Sequence, residues 1–258
     1  MSARLALALA CCGLLAWHAA RAADYEAVSG GAFRSALSPD GATVVVKPYR
    51  LRARPVTNGE FLRFAQAHPA WRRGVVPALY AGGGYLADWR AADDFGDLPA
   101  DAPVTRVSWH AARAYCRSEG ARLPAWYEWE MAAAADAGRR DARDDPQWRA
   151  RILQWYAQPT GRLLAPVGRE LNVWGVSDLH GSIYEWVEDF NGLFVTSDSR
   201  SQGEQRTLAT CGAAALSLGD RENYAILMRI AMLAALNAAD TVGTVGFRCA
   251  RNESEERP

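Results

Sequence analysis

The 258 residues are half hydrophobic and 22% charged, and 29 basic residues balance 29 acidic ones. That is globular composition, with enough chain for a large core, and the neutrality excludes the basic footprint of a nucleic-acid binder. Ten tryptophans favour an irregular aromatic core over a uniform aliphatic bundle, and the basic set is almost all arginine, with Lys47 the only lysine.

In chain order, residues 1–22 read as a secretory signal peptide. Arg4 gives a positive start, residues 5–17 an apolar run, and Ala20-Arg21-Ala22 a small-x-small cleavage site. The run is too short to span a bilayer, and no other stretch is a membrane-span candidate. Cys11 and Cys12 raise a lipoprotein alternative, which the residues before them fit poorly. The expectation is a periplasmic or secreted mature domain over residues 23–258, with 27 basic against 29 acidic residues once Arg4 and Arg21 are removed. Of the five cysteines, three then remain: Cys116, Cys211 and Cys249. In an oxidising compartment an odd number predicts one bridge and one thiol, and spacing does not choose the pair.

Thr43-Val44-Val45-Val46 is β-branched and reads as a strand, extended through 47–52 on a sheet edge because Pro48 cannot donate to a ladder. Thr57 followed by Glu60 three residues later predicts a capping box and a helix that ends before Pro69. Residues 71–103 carry Gly82-Gly83-Gly84 and three prolines and read as loop, anchored by Trp71, Tyr80 and Trp89. A short strand over 103–109 leads into Ser108 as N-cap. A helix over 110–118 follows, with Ala112, Tyr115 and Cys116 on one stripe and Gly120 as its stop. A second helix covers 126–135, with Trp126, Trp129 and Ala133 on one face and Glu128 and Glu130 paired with arginines. Residues 136–150 are charged and read as exposed, with 139–145 as a solvated loop. The 187–190 stretch reads as strand and 191–210 as loop. Residues 224–236 form a helix so apolar, with Arg229 its only charge, that it is buried on most sides. Residues 246–250 close as a strand before a polar tail, 251–258.

One stretch, residues 173–186, interleaves aromatics, carboxylates and glycines around Gly181. It supports two readings. One is a hairpin with Trp174 and Trp186 in the core. The other is a cation loop, in which Asp178 and Glu185 supply carboxylate oxygens and the bent backbone supplies carbonyls, the mixture that calcium takes.

Several motifs occur in linked order: Pro55-Val56-Thr57-Asn58-Gly59-Glu60-Phe61; Val107-Ser108-Trp109-His110 through Tyr115-Cys116; Gly120-Ala121-Arg122-Leu123-Pro124; Glu128-Trp129-Glu130; the 173–186 stretch; and Gly246-Phe247-Arg248-Cys249. Together they resemble the formylglycine-generating enzyme, or sulfatase-modifying factor, family. The resemblance implies an irregular, loop-rich α+β single domain related to C-type lectins. It implies a structural calcium held by the side chains of Asp178 and Glu185 and the carbonyls of Gly181 and Ile183. It also implies a Cys116–Cys249 disulfide, closing a loop of over a hundred residues, for which chain entropy gives about 5 kcal/mol.

The family's oxidase chemistry uses a cysteine pair, a few residues apart before Gly-Phe-Arg, to hold copper and engage a substrate thiol. Here only Cys211 lies between Cys116 and Cys249, and the pattern's arginine ahead of the final strand is replaced, with Leu233 near its place. A second branch forms sulfur–carbon bonds with a histidine-ligated iron, whose ligands sit in an added domain not found in these residues. A third branch comprises accessory factors of respiratory copper and denitrification enzymes. The expectation is therefore a monomeric accessory, maturation or binding factor for a periplasmic protein partner. The alternative is a copper- or iron-dependent oxidase of a protein or small-molecule thiol, with Cys211 as its catalytic residue. His110 is expected at the surface or behind a site, and most tryptophans in the core.

Overall fold

A computed structural model describes residues 25–38, 42–157, 164–193 and 224–253. Cys211, the leader and residues 254–258 lie outside these. The architecture is an irregular α+β domain in which short strands and helices are separated by long ordered loops.

Strand β1 (Tyr25–Val28) and strand β4 (Tyr49–Arg52) pair antiparallel, with Tyr25 opposite Arg52. Strand β7 (Ala250–Asn252) flanks β4 on its other side, so the sheet order is β1-β4-β7. Strand β2 (Gly31–Phe33) pairs with β3 (Val44–Val46) in a separate two-stranded sheet. The expectation that 47–52 prolongs β3 on an edge is corrected. The chain breaks at Pro48, which has no N–H to continue the ladder, and Tyr49–Arg52 becomes the centre of another sheet. The tail is also shorter than expected, since Arg251 and Asn252 sit in β7.

Helix α1 (Asn58–Ala67) begins with the expected capping box: Thr57 accepts from the Glu60 backbone and the Glu60 carboxylate returns to the Thr57 N–H at 2.8 Å. Helix α2 (Trp109–Ser118) is capped by Ser108, and Ala112, Tyr115 and Cys116 are buried on its inner stripe. Gly120 follows at φ +65°, the left-handed turn that glycine permits. The predicted strand over 103–109 reduces to one bridge, Thr57 to Pro103. Helix α3 (Trp126–Ala133) buries Trp126, Trp129 and Ala133.

The exposed stretch over 136–150 and the solvated loop over 139–145 within it are each corrected. Asp145 caps helix α4 (Pro146–Tyr156), with Pro146 at its first turn, and Arg143 folds inward to pair with Asp141 at 2.6 Å. Helix α5 (Tyr224–Ala234) packs against α4, where Ala225 meets the small cluster of Ala142, Trp148 and Ile152. The main core is a single aromatic-rich cluster in which Trp126, Trp129, Trp186, Phe61 and Phe247 are fully enclosed. No helix among the described residues is long and apolar enough to cross a membrane.

Strands β5 (Tyr184–Glu185) and β6 (Val245–Gly246) form the one parallel pair among the described residues, with Glu185 opposite Gly246. Position 246 needs glycine, because a Cβ there would overlap the Val104 carbonyl and the Ile183 side chain. The 173–186 stretch is therefore no hairpin: β5 takes its partner from the far end of the chain. The predicted strand over 187–190 is likewise replaced by a turn into a short 3-10 segment, Phe190–Gly192.

Candidate functional site

The 173–186 stretch lies between α3, α4, α5 and β6. Three residues bend it into the left-handed region: Gly175 at φ 77°, Asp178 at φ 58° and Gly181 at φ 88°. Aspartate tolerates that conformation better than most side chains. The Asp178 carboxylate is buried and accepts three backbone N–H groups, from Gly168, from Arg169 at 3.1 Å and from Glu170 at 3.3 Å.

Glu185 is fully buried. Arg248 reaches it with Nε at 2.8 Å and Nη2 at 2.9 Å, a bidentate pair, and Trp129 Nε1 donates to it at 2.9 Å. Arg248 spends its other N–H groups on the carbonyls of Arg52, Ala53 and Ser177. A buried ion pair this well satisfied offsets the desolvation of both charges.

The second guanidinium was missed as a site group. Arg229, on α5, is fully enclosed. Its Nη2 donates to the carbonyls of Leu179 at 3.2 Å and Ile183 at 3.0 Å. Its carbon lies 4.0 Å from the Trp129 ring centre and 5.2 Å from that of Tyr184. The signal was a lone arginine in an otherwise apolar helix, read from sequence only as an exception. Next to it, His180 is half-buried as a residue, with its ring edge-on to Trp129 and Trp148. Its Nε2 lies 2.9 Å from the Ala133 carbonyl, which makes Nε2 the donor, while Nδ1 is shut off from solvent without a partner. Burial first, and then the nearby Arg229 charge, push this imidazole down to about 3, so it is neutral at ordinary pH.

The structure thus brings Asp178, Gly181, Ile183 and Glu185 into one loop, but Asp178, Ile183 and Glu185 already face N–H or guanidinium donors. They form no open oxygen cage, and the calcium implied by the resemblance does not fit this arrangement. Among the described residues no group of three or more His, Cys, Asp or Glu side chains could hold a metal. Cys211 lies outside the described residues. Cys116 and Cys249, 133 residues apart, are joined in a disulfide.

Beside the loop a cavity of about 660 Å³ opens, lined by Trp148, Arg151, Trp155, Arg169, Glu170 and His180 among others. Its aromatic walls and both signs of charge suit a small ligand or an inserted side chain. Of the other residues singled out from sequence, Glu128 pairs with Arg122, both contacts at 2.6 Å. Glu130 does not make the expected arginine contact its main one. It is buried, accepts from Ser35, from the Ala36 N–H at 2.7 Å and from Trp126 Nε1 at 2.8 Å, and lies 3.9 Å from Arg143. Burial pushes its carboxyl up despite those donors. His110 stacks edge-on with Tyr80 and Trp109, its ring at 5.4 Å from each.

The loop-rich α+β architecture and the buried loop closed by Gly-Phe-Arg-Cys define the class. The chain belongs to the family described as the sulfatase-modifying factor enzyme 1-like domain, whose model matches residues 17–253. It is 29% identical over 276 residues to a formylglycine-generating enzyme of Streptomyces coelicolor, covering 88% of this chain and 87% of that protein. It is 32% identical over 162 residues to a hercynine oxygenase of Mycobacterium tuberculosis, covering 56% of this chain but only 38% of that longer protein. Among solved structures, PvdO from Pseudomonas aeruginosa aligns over 88% of this chain and 93% of its own, at 18% identity and a TM-score of 0.45. CarF aligns over 89% and 98%, at 15% identity and a TM-score of 0.44.

Proposed function

We propose that this chain is an accessory, maturation or binding factor for an exported protein partner, built on the family's domain without its two-thiolate copper chemistry. One observation carries the reading. Cys116 and Cys249 are bonded to each other, and Cys211 is the single cysteine between them. One thiol does not make a linear two-thiolate Cu(I) site, although thiolate is the ligand that Cu(I) prefers. The cavity beside the 178–185 loop supplies a place where a partner's side chain or a small ligand would be received, with Trp148 and Trp155 as apolar walls.

A second reading keeps an oxidase, in which Cys211 joins a copper or iron centre and acts on a protein or small-molecule thiol. The similarity to the Streptomyces coelicolor enzyme over most of both chains favours it. Metal analysis of the purified protein, before and after loading with Cu(I) or Fe(II), separates the two. The first reading expects no copper or iron at one per chain and no aldehyde formed on a cysteine-containing peptide. Copper or iron at unit stoichiometry, lost in Cys211→Ala together with aldehyde formation, would overturn it in favour of the second.

A further inference from the structure

We propose that the Arg229 guanidinium is a built-in cation for the 178–185 loop, taking the role that the family resemblance gives to calcium, so that this loop is ordered without metal. Calcium takes six to eight oxygen ligands at about 2.3–2.6 Å. Three of the four ligands implied by resemblance are already engaged, beginning with the Ile183 carbonyl, which accepts Arg229 Nη2 at 3.0 Å. Both Glu185 oxygens accept Arg248, and one of them also accepts Trp129 Nε1. The Asp178 carboxylate is turned to the backbone N–H groups of residues 168–170. A divalent ion at Ile183 would stand against a guanidinium already donating to the same oxygen, and like charges at that separation in a buried site repel strongly.

Charge and shape agree with this. The loop's two acids, Asp178 and Glu185, are matched by two buried arginines, Arg229 and Arg248. Arg229 Nη2 bridges the loop, from the Leu179 carbonyl to that of Ile183, while its Nε and Nη1 are buried without a hydrogen-bond partner among the described residues. Its central carbon lies over the Trp129 ring at 4.0 Å and the Tyr184 ring at 5.2 Å, whose faces favour a desolvated cation. Arginine is suited to this because it stays charged, presents planar donors and is weakly hydrated. Among the described residues no carboxylate pairs with it, so its charge is met by carbonyl dipoles and π faces, the environment of a bound ion. The inference is independent of whether Cys211 is catalytic.

Thermal unfolding of the full exported chain tests it. After EDTA treatment the wild-type midpoint is expected to stay unchanged on adding millimolar calcium, and calorimetry to show no calcium binding. One calcium bound per chain, with a midpoint that falls in EDTA, would overturn the proposal. Arg229→Met keeps the length and apolar packing of the side chain, whereas Arg229→Lys keeps the charge. The methionine variant is expected to melt roughly 10 °C lower, as for loss of one member of a buried charged network, and the lysine variant to retain more of that stability. A methionine variant as stable as the lysine variant shows a packing role only and also overturns the proposal. If neither variant folds, the wild-type calcium measurement decides alone.

Discussion

Glu185 and His180 are five residues apart and are enclosed in different ways. The Glu185 carboxylate oxygens are filled by donors from Arg248 and Trp129. His180 has only the Ala133 carbonyl and a neighbouring guanidinium, and it gives up its proton. The consequence for pH follows from proton counts. In the unfolded chain the imidazole titrates near 6.5, and in the fold it is pushed down to about 3. Between those values the unfolded state binds more protons, so this group makes stability rise with pH through the window and fall as pH drops below about 6.5. At pH 5.5 the loss is about 1.4 kcal/mol. Urea unfolding at pH 7.5 and 5.5 should show that increment in the wild type and not in His180→Gln; equal losses in both would remove His180 as the cause. At this scale the sequence was half legible. Asp178 and Glu185 stood out as acids in a glycine turn. The loop's arginine partners did not, because Arg248 lies 63 residues from Glu185 and Arg229 46 residues from Ile183, and one sequence carries no signal for such distant pairings.

Helices declared themselves where a local rule sets their ends. Thr57 and Glu60 close the cap of α1, Ser108 caps α2 and Gly120 releases it. Thr57→Ala should cost about 1 kcal/mol in urea denaturation, since it opens the N-terminal turn while leaving the core face intact. Helix α4 was missed because its Asp145-Pro146 start is hidden inside a charge run, and only two of its residues, Trp148 and Ile152, are buried. The strands failed for a different reason. Tyr184–Glu185 and Val245–Gly246 are two residues each, too short to show a period of two, and they pair across sixty residues of chain. What selects them is the close approach at Gly246, which no propensity records.

At the scale of the molecule, family resemblance did what pattern reading could not: it named Cys116 and Cys249 as the bridged pair, where cysteine count alone left three choices. Because the bridge spans 133 residues, the double variant Cys116→Ala with Cys249→Ala should lose about 5 kcal/mol of unfolding free energy, read from the urea midpoint against the wild type. A loss below about 1 kcal/mol would mean that the enclosed segment is already constrained in the unfolded chain. The bridge has a mechanical meaning as well. Strands β1 and β7 flank β4, so tension applied between Tyr25 and Asn252 loads their ladders along the strand direction, in shear. From Cys249 the covalent load path crosses the bridge directly to Cys116. Residues 117–248, including the 178–185 loop, Arg229 and the cavity, hang from that path as a side loop and carry none of the pull.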